Sequence, residues 1–243
     1  MPGLEGLPVL VIGATRGIGL AVAQELLRRG ARVGITGRDP DRVRSLAGTL
    51  GVWGEALDVR DREAVPQVVG RFQEEVGLYG LVYNAGVSPV FTRAERIGLE
   101  VWDEVLEVNL TGAFLAAKAF AGLLEGQGSL VFVGSILSLR GGARLAAYTA
   151  AKAGLWGLAR ALALDWADRG IRVNLVAPGW TETEMTQGLR EHPHLGQKIL
   201  GGIPLARMAR PEEVARMVAF LLEPENSYLT GGVYAVDGGV SAS

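Results

Sequence analysis

Three side chains in this sequence have the types and spacing to move a proton. Ser135 follows the apolar run 130–133, Tyr148 comes thirteen residues later, and Lys152 four residues after that. Residues four apart share one helix face, so the phenol and the ammonium can present their heads together. A free phenol titrates near ~10 and is a poor acid or base at neutral pH. A neighbouring ammonium favours phenolate, so Lys152 is expected to lower the Tyr148 pKa. Such a pair can protonate a carbonyl under reduction or deprotonate an alcohol under oxidation. Ser135 can hydrogen-bond the same oxygen and hold its developing charge. Lysine occurs only at Lys118, Lys152 and Lys198, in a chain that otherwise uses arginine. Tyr and Lys at this spacing alone would also describe an ordinary half-exposed helical turn. The serine behind a strand separates the two readings.

A second cluster could hold an anion. Gly13-Ala14-Thr15-Arg16-Gly17-Ile18-Gly19 follows the run 9–12 and opens a helix. Glycines let the backbone turn sharply and approach a phosphate, and unpaired amides at the helix start face it. A tight strand-to-helix connection without a ligand would read similarly. The next strand ends Thr36-Gly37-Arg38, with Gly37 where a 2′-hydroxyl-binding fold usually carries an acid. Arg38, with Arg16 from the glycine turn, suits a 2′-phosphate, although both could be solvated surface arginines. Asp39 could reach a ribose hydroxyl, but it fits better as the cap of a helix starting at Pro40.

These residues need a scaffold that gathers strand ends. The apolar runs 9–12, 33–36, 81–83, 130–133, 173–177 and 233–236, with 52–57 weaker, alternate with helical patterns. Continuous apolar runs suit strands covered on both faces. Gly17 to Arg29 is a helix stopped by Gly30. Another runs from Pro211 to Leu222, with Glu212 and Glu213 in its first turn and Pro224 beyond it. The pattern predicts one α/β domain over 1–243, a doubly wound Rossmann fold with a seven-stranded parallel sheet and helices on both faces. Ligands then bind at the carboxyl ends of the strands, where strand order reverses.

Composition removes other chemistries. With no cysteine, disulfides, thiol nucleophiles and Cys-ligated metals are excluded. A net charge of −2 offers no basic surface for nucleic acid or an anionic membrane. The N-terminal residues before Val9 carry no basic residue and are not expected to be a targeting signal. The stretch 110–124 contains Lys118 and is expected to be too short to cross a bilayer. A soluble cytoplasmic protein follows as the expectation. No metal site is expected from His192 and His194, the two histidines.

The motifs together resemble the short-chain dehydrogenase/reductases, of the single-domain type, over essentially the whole length. They are the glycine turn, Leu57-Asp58-Val59, Asn84-Ala85-Gly86, Val108-Asn109-Leu110-Thr111-Gly112, Ser135, Tyr148-Thr149-Ala150-Ala151-Lys152, Pro178-Gly179 with Thr183, and Val236-Asp237-Gly238-Gly239. The resemblance implies Tyr148 as proton donor and acceptor, with Lys152 tuning it and binding the nicotinamide ribose. Ser135 would polarise the carbonyl, and Asn109 would hold a water linking Lys152 to solvent. Gly13, Thr15, Arg16, Gly17, Ile18 and Gly19 would form the phosphate turn. Asp58, with Val59 beside it, would contact the adenine, and Asn84, Ala85 and Gly86 would support the sheet near the adenosine ribose. Pro178, Gly179 and Thr183 would complete the cofactor site, Thr183 gripping the carboxamide. Gly37-Arg38 matches the family's NADP-preferring pattern, so NADP(H) is favoured and NAD(H) stays possible. Ile12 and Tyr83 depart from the family's usual Thr and Asn, beside the motifs rather than in their chemistry.

Within the family, the resemblance is to bacterial 3-oxoacyl-(acyl-carrier-protein) reductases and related sugar or polyol dehydrogenases. It implies a small carbonyl or alcohol substrate, free or carrier-linked, a lid over 181–202, and a homotetramer. Arg169 fits a carrier-facing arginine, whereas Glu125-Gly126-Gln127-Gly128 has no basic residue and Leu145 stands where a polar residue is usual. Arg140 and Arg144 either bind an anionic substrate group or are solvated. Ala116, Ala117, Phe120, Ala153 and Gly157 let helices pack closely, between subunits or within one. Trp156 and Trp166 are packing or interface residues. A nucleotide-binding module without turnover is the reading from another class; a hydrolase would need a G-x-S-x-G elbow that is absent.

Overall fold

Every expected apolar run forms a strand. In the computed structural model, which describes residues 3–88 and 91–242, they are β1 (Pro8–Ile12), β2 (Arg32–Gly37), β3 (Trp53–Ala56), β4 (Gly80–Tyr83), β5 (Gly128–Val133), β6 (Ile171–Pro178) and β7 (Val233–Val236). All pair in parallel in the order β3-β2-β1-β4-β5-β6-β7. Val9 lies opposite Val33 on one side and Gly80 on the other. The weak candidate 52–57 is β3, an edge strand, where burial on both faces is not required.

The helices are α1 (Gly17–Arg28), α2 (Pro40–Leu50), α3 (Ala64–Glu75), α4 (Leu99–Leu106), α5 (Gly112–Leu123), α6 (Ala146–Asp165), α7 (Glu184–Glu191), α8 (Pro193–Gly201) and α9 (Pro211–Leu222). Period-two geometry sends alternate strand residues to opposite cores. Val9, Val11, Val82, Val131 and Val176 pack with α1, α2 and α9. Leu10, Ile12, Leu81, Tyr83, Leu130 and Phe132 pack with α3, α5 and α6. Asp39 caps α2 as expected: its Oδ1 accepts from the Asp41 and Arg42 amides at 3.0 and 3.1 Å.

One expectation is corrected. The apolar stretch does not begin at Leu110, because α4 continues through a π-helical turn (Glu107–Thr111) into α5. The joined helix, Leu99–Leu123, has 25 residues and is long and apolar enough to cross a membrane by length and composition. In this fold 56% of its most apolar window is buried, and Ala113, Ala116, Ala117 and Phe120 face the core. The small-residue set therefore divides. Ala116, Ala117 and Phe120 are buried within the monomer, whereas Ala153 and Gly157 on α6 are exposed.

Candidate active site

Strand order reverses between β1, which runs on to β2, and β4, which runs on to β5. Loops leaving the two strands diverge there and open a crevice at their carboxyl ends. A cleft of about 420 Å³ occupies this position. Arg38 and Asp58 line one end, the glycine turn and Asn84, Ala85 and Gly86 line the middle, and Tyr148 and Lys152 line the other end. Thr183, Glu184 and Met185, from the segment after β6, form a further wall.

The middle of the cleft is shaped by missing side chains. Gly13 has φ +84°, and a Cβ there would lie 2.7 Å from the Ala85 backbone. A Cβ on Gly19 would lie 2.1 Å from the Gly13 carbonyl oxygen. The same oxygen accepts from Asn84 Nδ2 at 2.7 Å, which ties the turn to the end of β4. No side chain caps α1, so its first amides stay available to an anion. Phosphate chemistry thus fits this turn on its own geometry.

At the Arg38 end the charges are exposed and partly committed. Arg16 lines the cleft, but its guanidinium donates to Glu184 Oε2 at 2.9 Å. Arg42, at the start of α2, holds the other oxygen of Glu184 at 3.1 Å. Arg38 lines the cleft and forms no side-chain hydrogen bond or ion pair among the described residues. The Asp58 carboxylate is gripped by Arg60, whose Nη2 lies 2.5 Å from Oδ2, and this holds its pKa below the usual range. Arg42 and Glu184 were not singled out from sequence.

At the other end Lys152 and Asn109 are buried, and Ser135 and Tyr148 are half-buried. Lys152 Nζ donates to the Val133 carbonyl at 2.9 Å and lies 5.7 Å from the Tyr148 ring centre. Ser135, just past the end of β5, accepts from the Leu137 amide at 3.1 Å, and its hydroxyl beside Tyr148 acts to lower the phenol's pKa. Asn109 is fully buried in the π-turn, where its Nδ2 donates to Val87 and Val105 carbonyls, each at 2.9 Å. Its Oδ1 is buried without a hydrogen-bond partner among the described residues. A Cβ on Gly86 would fall 2.8 Å from that oxygen and 3.7 Å from Lys152 Nζ, so both atoms border one glycine face.

The expected acidification of Tyr148 is corrected here. Burial pushes the phenol up to about 12, and the Ser135 hydroxyl only partly offsets it. Burial also pushes Lys152 down to about 8. Desolvation dominates both shifts, and no attraction between the two heads opposes it. The arrangement keeps a protonated phenol beside a serine hydroxyl, which suits donation to an oxygen placed between them.

The remaining expected site residues lie around this cleft. Gly13, Thr15, Gly17, Ile18, Val59 and Thr183 are on its wall. Gly19, Asn109, Ser135, Pro178 and Gly179 stand outside the lining set, and Gly19 and Gly179 serve close backbone packing. Arg169, read as carrier-facing, donates to the Ala121 carbonyl at 2.6 Å. Arg140 donates to the Val240 carbonyl at 2.9 Å. Arg144 is exposed in the left-handed region at φ +64°. Trp156 and Trp166 pack against the monomer core. The His192 and His194 rings are 6.3 Å apart, and no group of three or more metal-binding side chains gathers among the described residues.

Comparison with known proteins agrees with this geometry. Residues 13–241 match the family described as enoyl-(acyl carrier protein) reductase. The 3-oxoacyl-(acyl-carrier-protein) reductase FabG of Salmonella typhimurium is 38% identical over 241 residues, covering 97% of this chain and 98% of the relative. A solved structure of a candidate NAD(P)-dependent gluconate 5-dehydrogenase from Beutenbergia cavernae, with NADP at low occupancy, is 37% identical. It superposes with a TM-score of 0.92 over all of both chains. A candidate 2-deoxy-D-gluconate 3-dehydrogenase from Agrobacterium tumefaciens, with bound NADP, is 36% identical with a TM-score of 0.90, covering 100% of this chain and 99% of that one. The chain belongs to the short-chain dehydrogenase/reductases and is an NAD(P)-dependent oxidoreductase of the carbonyl/alcohol pair.

Proposed function

We propose that this enzyme prefers NADP(H) and reduces a small carbonyl substrate in the manner of a 3-oxoacyl-(acyl-carrier-protein) reductase. The observation that carries this reading is one cleft with the Tyr148 phenol and the buried Lys152 at one end, Ser135 behind them just past the end of the strand, and Arg38 at the other. When bound, the nicotinamide supplies or receives the hydride. Gly13, Thr15, Gly17 and Ile18 would hold the pyrophosphate, Arg38 the 2′-phosphate, and Asp58 and Val59 the adenine. Lys152 would hold the nicotinamide ribose and Thr183 the carboxamide. Tyr148 gives its proton to the substrate oxygen, which Ser135 holds by a hydrogen bond. Asn109 and Lys152 bound a polar route by which that proton is replaced.

We read residues 1–243 as one catalytic domain with a lid over 181–202, acting in the cytoplasm as a homotetramer, without nucleic-acid or membrane partners. Phe114 on α5 and Leu164 on α6, 44% and 81% exposed, support a subunit contact on that side. A sugar-acid or polyol dehydrogenase is the second reading. It is favoured by Arg169 being committed to Ala121 rather than free for an acidic carrier. The deciding experiment follows reduced-nicotinamide absorbance with 3-oxoacyl thioesters, keto-sugar acids and polyols, using both cofactors. A higher kcat/KM for 3-oxoacyl thioesters supports the first reading; a higher value for keto acids or polyols replaces it with the second.

A further inference from the structure

We propose that Tyr83 is a positioning residue for Asn109, acting through the carbonyl of Val108; this rests on the reading of Asn109 given above. Tyr83 ends β4 and is fully buried. It departs from the rest of that strand in carrying a polar atom, and a buried phenol needs an acceptor. The acceptor is the Val108 carbonyl, 2.5 Å from Tyr83 Oη.

The π-turn explains why that carbonyl is available. In an α-helix the Gly112 amide would donate to Val108, four residues back. Here it donates to the Glu107 carbonyl, five residues back. Val108 thereby loses its α-helical partner, and Tyr83 supplies a donor from the sheet. One turn earlier, the Val105 carbonyl accepts from the side chain of Asn109 itself. Two side-chain donors thus hold the wide turn, one on each side of the residue it presents. Wide turns of this kind persist only where something fixes them, and they concentrate at functional sites.

Gly112 completes the device. A Cβ there would fall 2.6 Å from Tyr83 Oη and 3.1 Å from Val59 Cβ. The phenol therefore enters the turn only because position 112 has no side chain. With the Asn109 amide group held on Val87 and Val105, its Oδ1 is directed to the Gly86 face shared with Lys152. Tyr83 touches neither Tyr148 nor Lys152 in this chain of contacts, so its influence on turnover must pass through Asn109.

A double-mutant cycle in the full-length enzyme tests this. Tyr83→Phe removes one oxygen and keeps the ring. It should lower kcat about five- to tenfold with KM for NADPH changed by less than about twofold. In an Asn109→Ala background the same change should cost less than about twofold, because the residue it positions is gone. Gly112→Ala, which displaces the phenol from the other side, should show the same kcat loss and the same masking. An unchanged kcat in Tyr83→Phe overturns the proposal, as does an equal loss in both backgrounds. Should Tyr83→Phe melt before assay, Gly112→Ala carries the cycle with the same criteria. Full activity in Tyr148→Phe would instead sink the underlying reading of the site, whatever the cycle returns.

Discussion

The two ends of the cleft hold their charges in opposite ways. At the Arg38 end, Arg16, Arg42 and Glu184 pair in the open, with half or more of most of these side chains in water. Exposed pairs of this kind are worth little and are screened by salt. At the Tyr148 end, Lys152 is 4% exposed and Asn109 is not exposed at all. Burial there shifts the pKa of both the phenol and the ammonium. The contrast assigns different work to each end. Exposed guanidiniums can exchange one anion for another at low cost, which suits selecting a cofactor. Buried groups cannot rearrange cheaply, which suits holding a proton where it is needed.

The largest expected effect breaks the buried end. Tyr148→Phe should reduce turnover by about 10³-fold or more while the Kd for NADPH stays within about threefold, measured by fluorescence titration. Retained turnover would mean the phenol is not the acid. Next, Arg38→Asp should lower the ratio of kcat/KM for NADPH over NADH by roughly 100-fold, with kcat for NADH preserved. A fall in kcat instead would mean that the two ends are not separate.

The third prediction uses the buried lysine. The folded Lys152 pKa lies at about 8, below its ordinary 10.5, so the folded protein sheds a proton that the unfolded chain keeps. Stability from this residue therefore rises with pH between about 8 and 10.5. Lys152→Met should melt higher than the parent at pH 7, and that gain should shrink across the same window. Tyr148 has the opposite sign: its contribution is full below pH 10 and is lost towards about 12. Parallel melting curves for parent and Lys152→Met would argue that the lysine is not held at this cost. The smallest effect belongs to the exposed end. Glu184→Gln frees Arg16 and Arg42, and should tighten NADPH by about two- to fourfold at low salt and not at high salt.

Much of the scaffold was legible because burial leaves a linear trace. Continuous apolar runs mark the strands, Asp39 before Pro40 marks a cap, and the glycine turn follows the first strand. The spacing of Ser135, Tyr148 and Lys152 also survives folding, since a strand end and one helix face bring them together. What was illegible depends on distance along the chain. Arg16 meets Glu184 168 residues away, Arg140 meets Val240 100 residues away, and Arg169 meets Ala121 48 residues away. No local pattern announces such partners. The Tyr148 pKa departs from the sequence expectation for a related reason: i,i+4 spacing reports proximity to an ammonium but not how far either group is desolvated. Tyr83 did leave a signal, a phenol inside an apolar run, but its acceptor exists only because a helix 25 residues on takes a wide turn.

Gly37 has a consequence for how such an enzyme changes partners over evolutionary time. A Cβ at this position would lie 2.4 Å from the methyl of Thr15, so an acid cannot be installed there while the threonine stays as it is. Conversion to the non-phosphorylated coenzyme through this site is therefore a two-step path. The order is set in advance: the side chain at 15 must shrink or turn away before the one at 37 can grow. A library that varies positions 15 and 37 together should therefore return more variants active with the non-phosphorylated coenzyme than one that randomises position 37 alone.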